Sequence, residues 1–135
     1  MKTGLGVAKD IRSLINLPVI TTGLTGKIYQ FKRPLNSKLV DIVIGIQGID
    51  NEQFQQGTVN VNVHVPNLIS DSTMPDLETL DRLSTLLMPL LDTQYRNDFY
   101  TIVASPSVIY QDTDGSHFAN IKVDYYSIQE DYKNI

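Results

Sequence analysis

The chain has 135 residues, of which 41% are hydrophobic and 19% charged. That is the length and balance of one globular domain able to bury its own core. It has no cysteine, which excludes a disulfide framework and any thiolate metal site. Eleven basic and fifteen acidic residues leave a net charge of -4, so the whole-chain basic footprint of a nucleic-acid binder is missing.

The first residues break their apolar run at Lys9, Asp10 and Arg12, where a signal peptide needs an uninterrupted stretch. The most apolar windows, residues 40–49 and 83–91, fall well short of the ~20 residues that cross a bilayer. The expectation is a soluble protein that stays in the cell where it is made and has no membrane partner. Residues 1–128 read as a single α+β domain and 129–135 as a polar C-terminal tail.

Within residues 4–16, Val7, Ile11, Leu14 and Ile15 recur at helical spacing, the pattern of an amphipathic helix that Pro18 then stops. Residues 21–26 hold two glycines and three threonines and read as a turn. A short strand follows over 26–31, then a loop over 33–37. Residues 41–47 carry Ile42, Val43, Ile44 and Ile46, apolar on both faces, as in a strand central in its sheet. The clearest signal comes next. Thr58, Asn60, Asn62 and His64 alternate with Val59, Val61, Val63 and Val65, which sends the valines to a core and the polar four to water or a partner.

Pro66 ends that strand. Ser72 or Thr73 can cap a following helix, with Pro75 in its first turn, where a missing N–H costs nothing. Leu77, Leu80, Leu83, Leu87, Leu90 and Leu91 form its apolar stripe. Pro89 deprives the Thr85 carbonyl of its donor, which kinks or ends the last turn. Residues 100–110 read as a strand interrupted at Pro106, hence an edge or a bulge. Asp112-Thr113-Asp114-Gly115 has hairpin-turn chemistry. In the returning strand, 117–128, Ala119, Ile121, Val123 and Tyr125 face one way and Asn120, Lys122 and Asp124 the other. Hairpins between consecutive strands in the order α-β-β-β-α-β-β predict a mainly antiparallel sheet of about five strands, with two helices packed on one face.

Catalytic signatures are thin. His64 and His117 occupy strand positions, and no nucleophile elbow aims a hydroxyl at either; Ser116 is one candidate. Both read as exposed strand histidines. Asp112 to Ser116 resembles the start of a calcium loop, but Ile121 stands where the bidentate Glu belongs, so a tight turn is the reading. The pairs Gly4/Gly6 and Gly23/Gly26 lack the remaining parts of a phosphate loop, and the acids are too scattered to place a facing carboxylate pair. No catalytic residue, cofactor or metal is expected.

Charge is distributed unevenly. Residues 1–40 hold seven basic residues against one acid, Asp10, and residues 41–135 hold four against fourteen. Lys27, Lys32, Arg33 and Lys38 share one strand-loop segment with no acid among them. These charges either pair within the fold or solvate a face, or they form a basic edge that meets an acidic surface on the next copy, a head-to-tail contact able to close into a ring. Nucleic acid is a third reading, for which only Tyr29 and Phe31 supply stacking rings; no sequence-specific nucleic acid is expected. The candidate interface residues are therefore Lys27, Lys32, Arg33 and Lys38 with the polar row Thr58, Asn60, Asn62 and His64.

The order of elements resembles the phage tail terminator (tail completion, head-tail joining) family. The residues carrying the resemblance are Lys27-Ile28-Tyr29, the loop Arg33-Pro34-Leu35-Asn36-Ser37, the strand Asp41-Ile42-Val43-Ile44-Gly45 and the alternating strand from Gly57 to Val65. The Leu-rich helix of residues 77–91 and the closing strand through Ile121-Lys122-Val123-Asp124-Tyr125 complete it. It covers residues 4–128 and is one of pattern, without a signature motif. It implies a structural, non-enzymatic phage or prophage protein that forms a homo-oligomeric ring, typically a hexamer. Such a ring caps the tail tube, stops its polymerisation and joins it to the head. The partners implied are the tail tube protein and a head-completion protein, and the location is the virion tail or neck after assembly in the bacterial cytoplasm. Residues 66–75, with the pair Leu68-Ile69, depart from the pattern as an assembly arm or a long connection. The rival readings are a neck or head-completion protein of the same particle, a generic bacterial interaction module, and a small hydrolase using His64 or His117.

Overall fold

The computed structural model describes residues 2–50 and 54–128; the polar tail of residues 129–135 lies outside the described residues. The elements are α1 (Gly4–Ile15), α2 (Pro18–Thr21), β1 (Ile28–Gln30), β2 (Asp41–Ile49), β3 (Phe54–Val65), α3 (Leu77–Leu91), β4 (Gln94–Tyr95), β5 (Phe99–Gln111) and β6 (His117–Ile128). The strands form one sheet in the order β1-β2-β3-β6-β5-β4. The fold is α+β, but the sheet is mixed and six-stranded, not the mainly antiparallel five-stranded sheet that hairpin reasoning predicts. β1 runs parallel to β2, because residues 31–40 carry the chain back past the strand's start instead of turning tightly. β4 pairs only two residues with β5, too few to leave a periodic trace in sequence. A third helix is also present: Pro18 takes the first position of α2, where its fixed φ suits a new helix.

The helices start where local hydrogen bonds allow. Thr3 caps α1, its Oγ1 accepting from the Gly6 N–H at 3.1 Å. The cap of α3 is Asp76, which accepts from the Thr79 N–H at 3.2 Å, not Ser72 or Thr73. Thr73 is already held by Asp71, through its N–H at 3.0 Å and its hydroxyl at 2.7 Å, and Pro75 lies before the helix. Leu77 consequently stands exposed at the helix start, outside the buried stripe of Leu80, Leu83, Leu87 and Leu91. Pro89 sits inside α3, and the helix ends two residues later.

One hydrophobic core fills the space between the helices and one face of the sheet. Val59, Val61, Val63 and Val65 point into it from β3, and Ala119, Ile121, Val123 and Tyr125 from β6, as their alternation predicts. Val7, Ile11, Leu14 and Ile15 close it from α1. Each large buried side chain contributes roughly 1.5–3 kcal/mol. Register shifts on either side of Ser105 place bulges around Pro106, and the Asp92 carboxylate accepts the Val103 N–H at 3.0 Å. Together these blunt the outer edge of β5 against strand addition.

The core is pinned at the end where β5 begins. The Lys2 ammonium bridges Asp10 at 2.6 Å and Asp98 at 2.7 Å and lies over the rings of Phe99 and Tyr125. The Tyr125 hydroxyl donates to Asp10 at 2.6 Å. Burial opposes the Lys2 charge, but the hydrogen bonds to the two carboxylates outweigh it and hold the ammonium above its ordinary range. Burial first, and then the bond to Asp10, pushes the Tyr125 phenol up.

Candidate interaction surface

Among the described residues no helix covers the second face of the sheet, and the polar row of β3 lies there. Asn60 and Asn62 meet Asn120 of β6, whose Nδ2 donates to both Oδ1 atoms, at 3.2 Å and 2.7 Å. Beside them the Lys122 ammonium donates to Gln47 at 3.2 Å. These five residues, with the rings of Tyr110 and Phe118, line a shallow hollow in the open face. The sequence places Asn120 and Lys122 on this face but does not reveal their partners, because the β3–β6 register is long-range. Thr58 lies on the same row, across from Asp124.

His64, at the end of the row, departs from expectation. It is not an exposed strand histidine but only 9% exposed, covered by Phe118 with ring centroids 5.0 Å apart. Its Nδ1 has no hydrogen-bond partner and stands 3.7 Å from an Asp112 carboxylate oxygen. Burial, then the nearby Arg33 cation, lowers its pKa below the ordinary imidazole value, against the opposite pull of Asp112, Asp41 and Asp114. His117 is half-buried, and its Nδ1 lies 2.8 Å from the Asn67 amide oxygen. Among the described residues no hydroxyl is hydrogen-bonded to either ring, Ser116 included: its hydroxyl donates to Asp114 at 2.6 Å. Nor do three or more histidines or carboxylates gather as a metal site among the described residues.

The basic segment divides in two. Arg33 belongs to the fold: its guanidinium faces Asp41 at 3.5 Å. Asp41 is wholly buried and also accepts from the Ser37 hydroxyl at 2.6 Å and the Lys27 N–H at 3.1 Å. One carboxylate thus fastens the crossover from β1 to β2. The chain passes so close that a Cβ at residue 26 would overlap that carboxylate, which is why a glycine stands there. Of the alternatives for this segment, Arg33 shows pairing within the fold. Lys27, Lys32 and Lys38 are exposed and, among the described residues, have no acid within ion-pair distance.

Lys38 faces a different way from the other two. With Arg33 it lines a cleft of about 350 Å³ between the β1–β2 loop, the segment after β3 and the β5–β6 hairpin, opposite Asp114. Lys27 and Lys32 flank β1 at the sheet edge. There Gln30 shares a furrow with Lys9 and Arg12 of α1, both exposed and also without an acid in reach among the described residues. Sequence reasoning missed this pairing of α1 with the β1 edge, although Lys9 and Arg12, three residues apart, lie on one helix face.

The exposed charges on and after α3 are mixed. Glu78 and Asp81 on α3, and Asp92 after it, are exposed there against Arg82 and Arg96. No protein-family model matches the chain, and no curated protein matches it in sequence. No helix among the described residues is long and apolar enough to cross a membrane.

Proposed function

We propose that this chain is a phage or prophage structural protein that self-associates into a ring, typically hexameric, of the tail terminator (tail completion) type. Such a ring caps the tail tube and joins it to the head, with the tail tube protein and a head-completion protein as partners and the virion as its location. The observation that carries the reading is the one-signed basic edge of the sheet. The α1–β1 edge exposes Lys9, Arg12, Lys27 and Lys32 without acids in reach among the described residues, whereas on and after α3 the exposed acids Glu78, Asp81 and Asp92 stand with Arg82 and Arg96. A one-signed basic edge favours a heterologous contact with acids of the next copy and speeds its formation. The open face with its amide row supplies a polar wall for a lumen or a partner.

Light scattering in about 0.02 M and about 1 M salt tests the reading, because exposed charges are screened at the higher strength. Low-salt oligomers, seen as rings by negative staining, are expected. Lys9→Glu with Arg12→Glu should weaken their association at least ~tenfold. A strict monomer in both salts, at high protein concentration, overturns the reading.

A further inference from the structure

The segment between β3 and α3 presents a bare apolar tip. Ile69 is fully exposed, with Leu68 and Met74 also exposed beside it. The segment is fastened at several points. The Leu68 N–H donates to the Met74 carbonyl and the Met74 N–H to the Asp71 carbonyl, each at 3.0 Å. The Asn67 amide donates to the carbonyls of Ser72 at 2.8 Å and Gly115 at 2.9 Å. A tip held in this way has Ile69 already positioned for a partner, with little ordering left to do on binding.

At the other end of the sheet, Tyr95, Phe99, Tyr100 and Tyr126 line a hollow of about 120 Å³. Its wall is a ladder across three strands, Tyr95 on Tyr100 at 5.5 Å and Tyr100 on Tyr126 at 4.7 Å between ring centroids. The tip is tied to the hairpin before β6, and the hollow ends at Ser127. That span of strand measures roughly 30 Å, so the tip of one copy does not reach the hollow of the same copy. The charges beside them are complementary. Asp71 is exposed near Ile69, and Arg96 is exposed in the hollow's lining, where the one acid, Asp98, is held by the Lys2 ammonium at 2.7 Å. The Arg96 guanidinium donates to Gln94 and to the Tyr95 carbonyl and has no acid within ion-pair distance among the described residues.

We infer that Ile69 of one copy seats in the Tyr95–Tyr100–Tyr126 hollow of the next, with Asp71 facing Arg96. This rests on the self-association reading but uses a different surface. The contact is heterologous, so it repeats head-to-tail, and its apolar centre survives salt that screens the basic edge.

The test is association in about 1 M salt, by light scattering against protein concentration. The parent chain should associate, and Ile69→Asp and Tyr100→Ala should each weaken this at least ~tenfold. Circular dichroism confirms that both variants fold, and Ile69→Asp changes a residue that packs on nothing in the free subunit. At low salt, Arg96→Asp should weaken association several-fold, and Arg96→Lys, which keeps the charge, should weaken it less. Ile69→Asp chains that associate like the parent in high salt overturn the inference. A parent that associates only in low salt overturns it too, yet leaves the basic-edge contact standing; a monomer in both salts overturns both. A chain ending at Ile128 should associate unchanged. Association that appears only after this truncation makes the chain's own tail the occupant of the hollow, and the inference fails.

Discussion

At the end of the sheet where β5 begins, Lys2, Asp10, Asp98 and Tyr125 close a network in which the ammonium and the phenol both have partners. At the opposite end, Asp41 is just as fully engaged, by Arg33, Ser37 and Lys27, but next to it the His64 Nδ1 is buried with no partner. Both clusters tie a loop or terminus to the core. A satisfied buried cluster is costly to break by deleting one member and has little slack. An orphaned nitrogen can be removed at little cost, since deleting an unsatisfied polar atom relieves its desolvation penalty. The first end is therefore a fixed anchor, and the second combines an anchor with a group that can titrate.

The sharpest way to break this comparison is Asp41→Ala. It strands the Arg33 cation, the Ser37 hydroxyl and the Lys27 N–H together, and should cost about 3–5 kcal/mol in urea unfolding. A loss below about 1 kcal/mol would mean that the crossover is held by something other than this carboxylate. Tyr125→Phe should cost less, about 1.5–3 kcal/mol, the worth of a hydrogen bond to a charged group. It keeps the ring stacked on Phe99 at 5.4 Å and removes only the bond to Asp10. If it proves neutral, the first cluster is held by the Lys2 ion pairs alone.

How far these features could be read from the sequence follows from the range of the interactions. Period-two alternation announced β3 and β6, and each valine of β3 is buried, because alternation is a property of neighbours in the chain. The Pro106 bulges and the Asp112–Gly115 turn were equally local. What the sequence hid was long-range. Asp41 looked like one acid among fifteen, and nothing in the sequence told which of the four cations in the basic segment would pair within the fold, until the crossover set Arg33 against Asp41. His64 carried a polar residue's pattern yet lies under Phe118, since a strand's alternation does not report what a hairpin folds over its end. Lys9 and Arg12 joined the candidate surface only when α1 was set beside β1.

The smallest expected effect is a slope with pH, and it belongs to His64. The groups facing it are Arg33 from the β1–β2 loop, Asp41 from β2, and Asp112 and Asp114 from the β5–β6 hairpin. Burial and Arg33 prevail, so the folded imidazole takes up a proton at lower pH than its unfolded counterpart, whose value is 6.5. As pH falls through the interval between those two values, the unfolded state binds more protons than the folded one. Stability is therefore lost toward acid across that window, and this group adds no further loss below the folded value. His64→Phe keeps a ring against Phe118 and removes the titrating nitrogen. Its urea midpoint should equal or exceed the parent's near neutral pH, and the difference between the two chains should widen in the variant's favour from about pH 7.5 to 5. The other ionisations are common to both chains and cancel in the difference. A difference that stays constant with pH would show that His64 titrates alike folded and unfolded, and the second cluster would then be as fixed as the first.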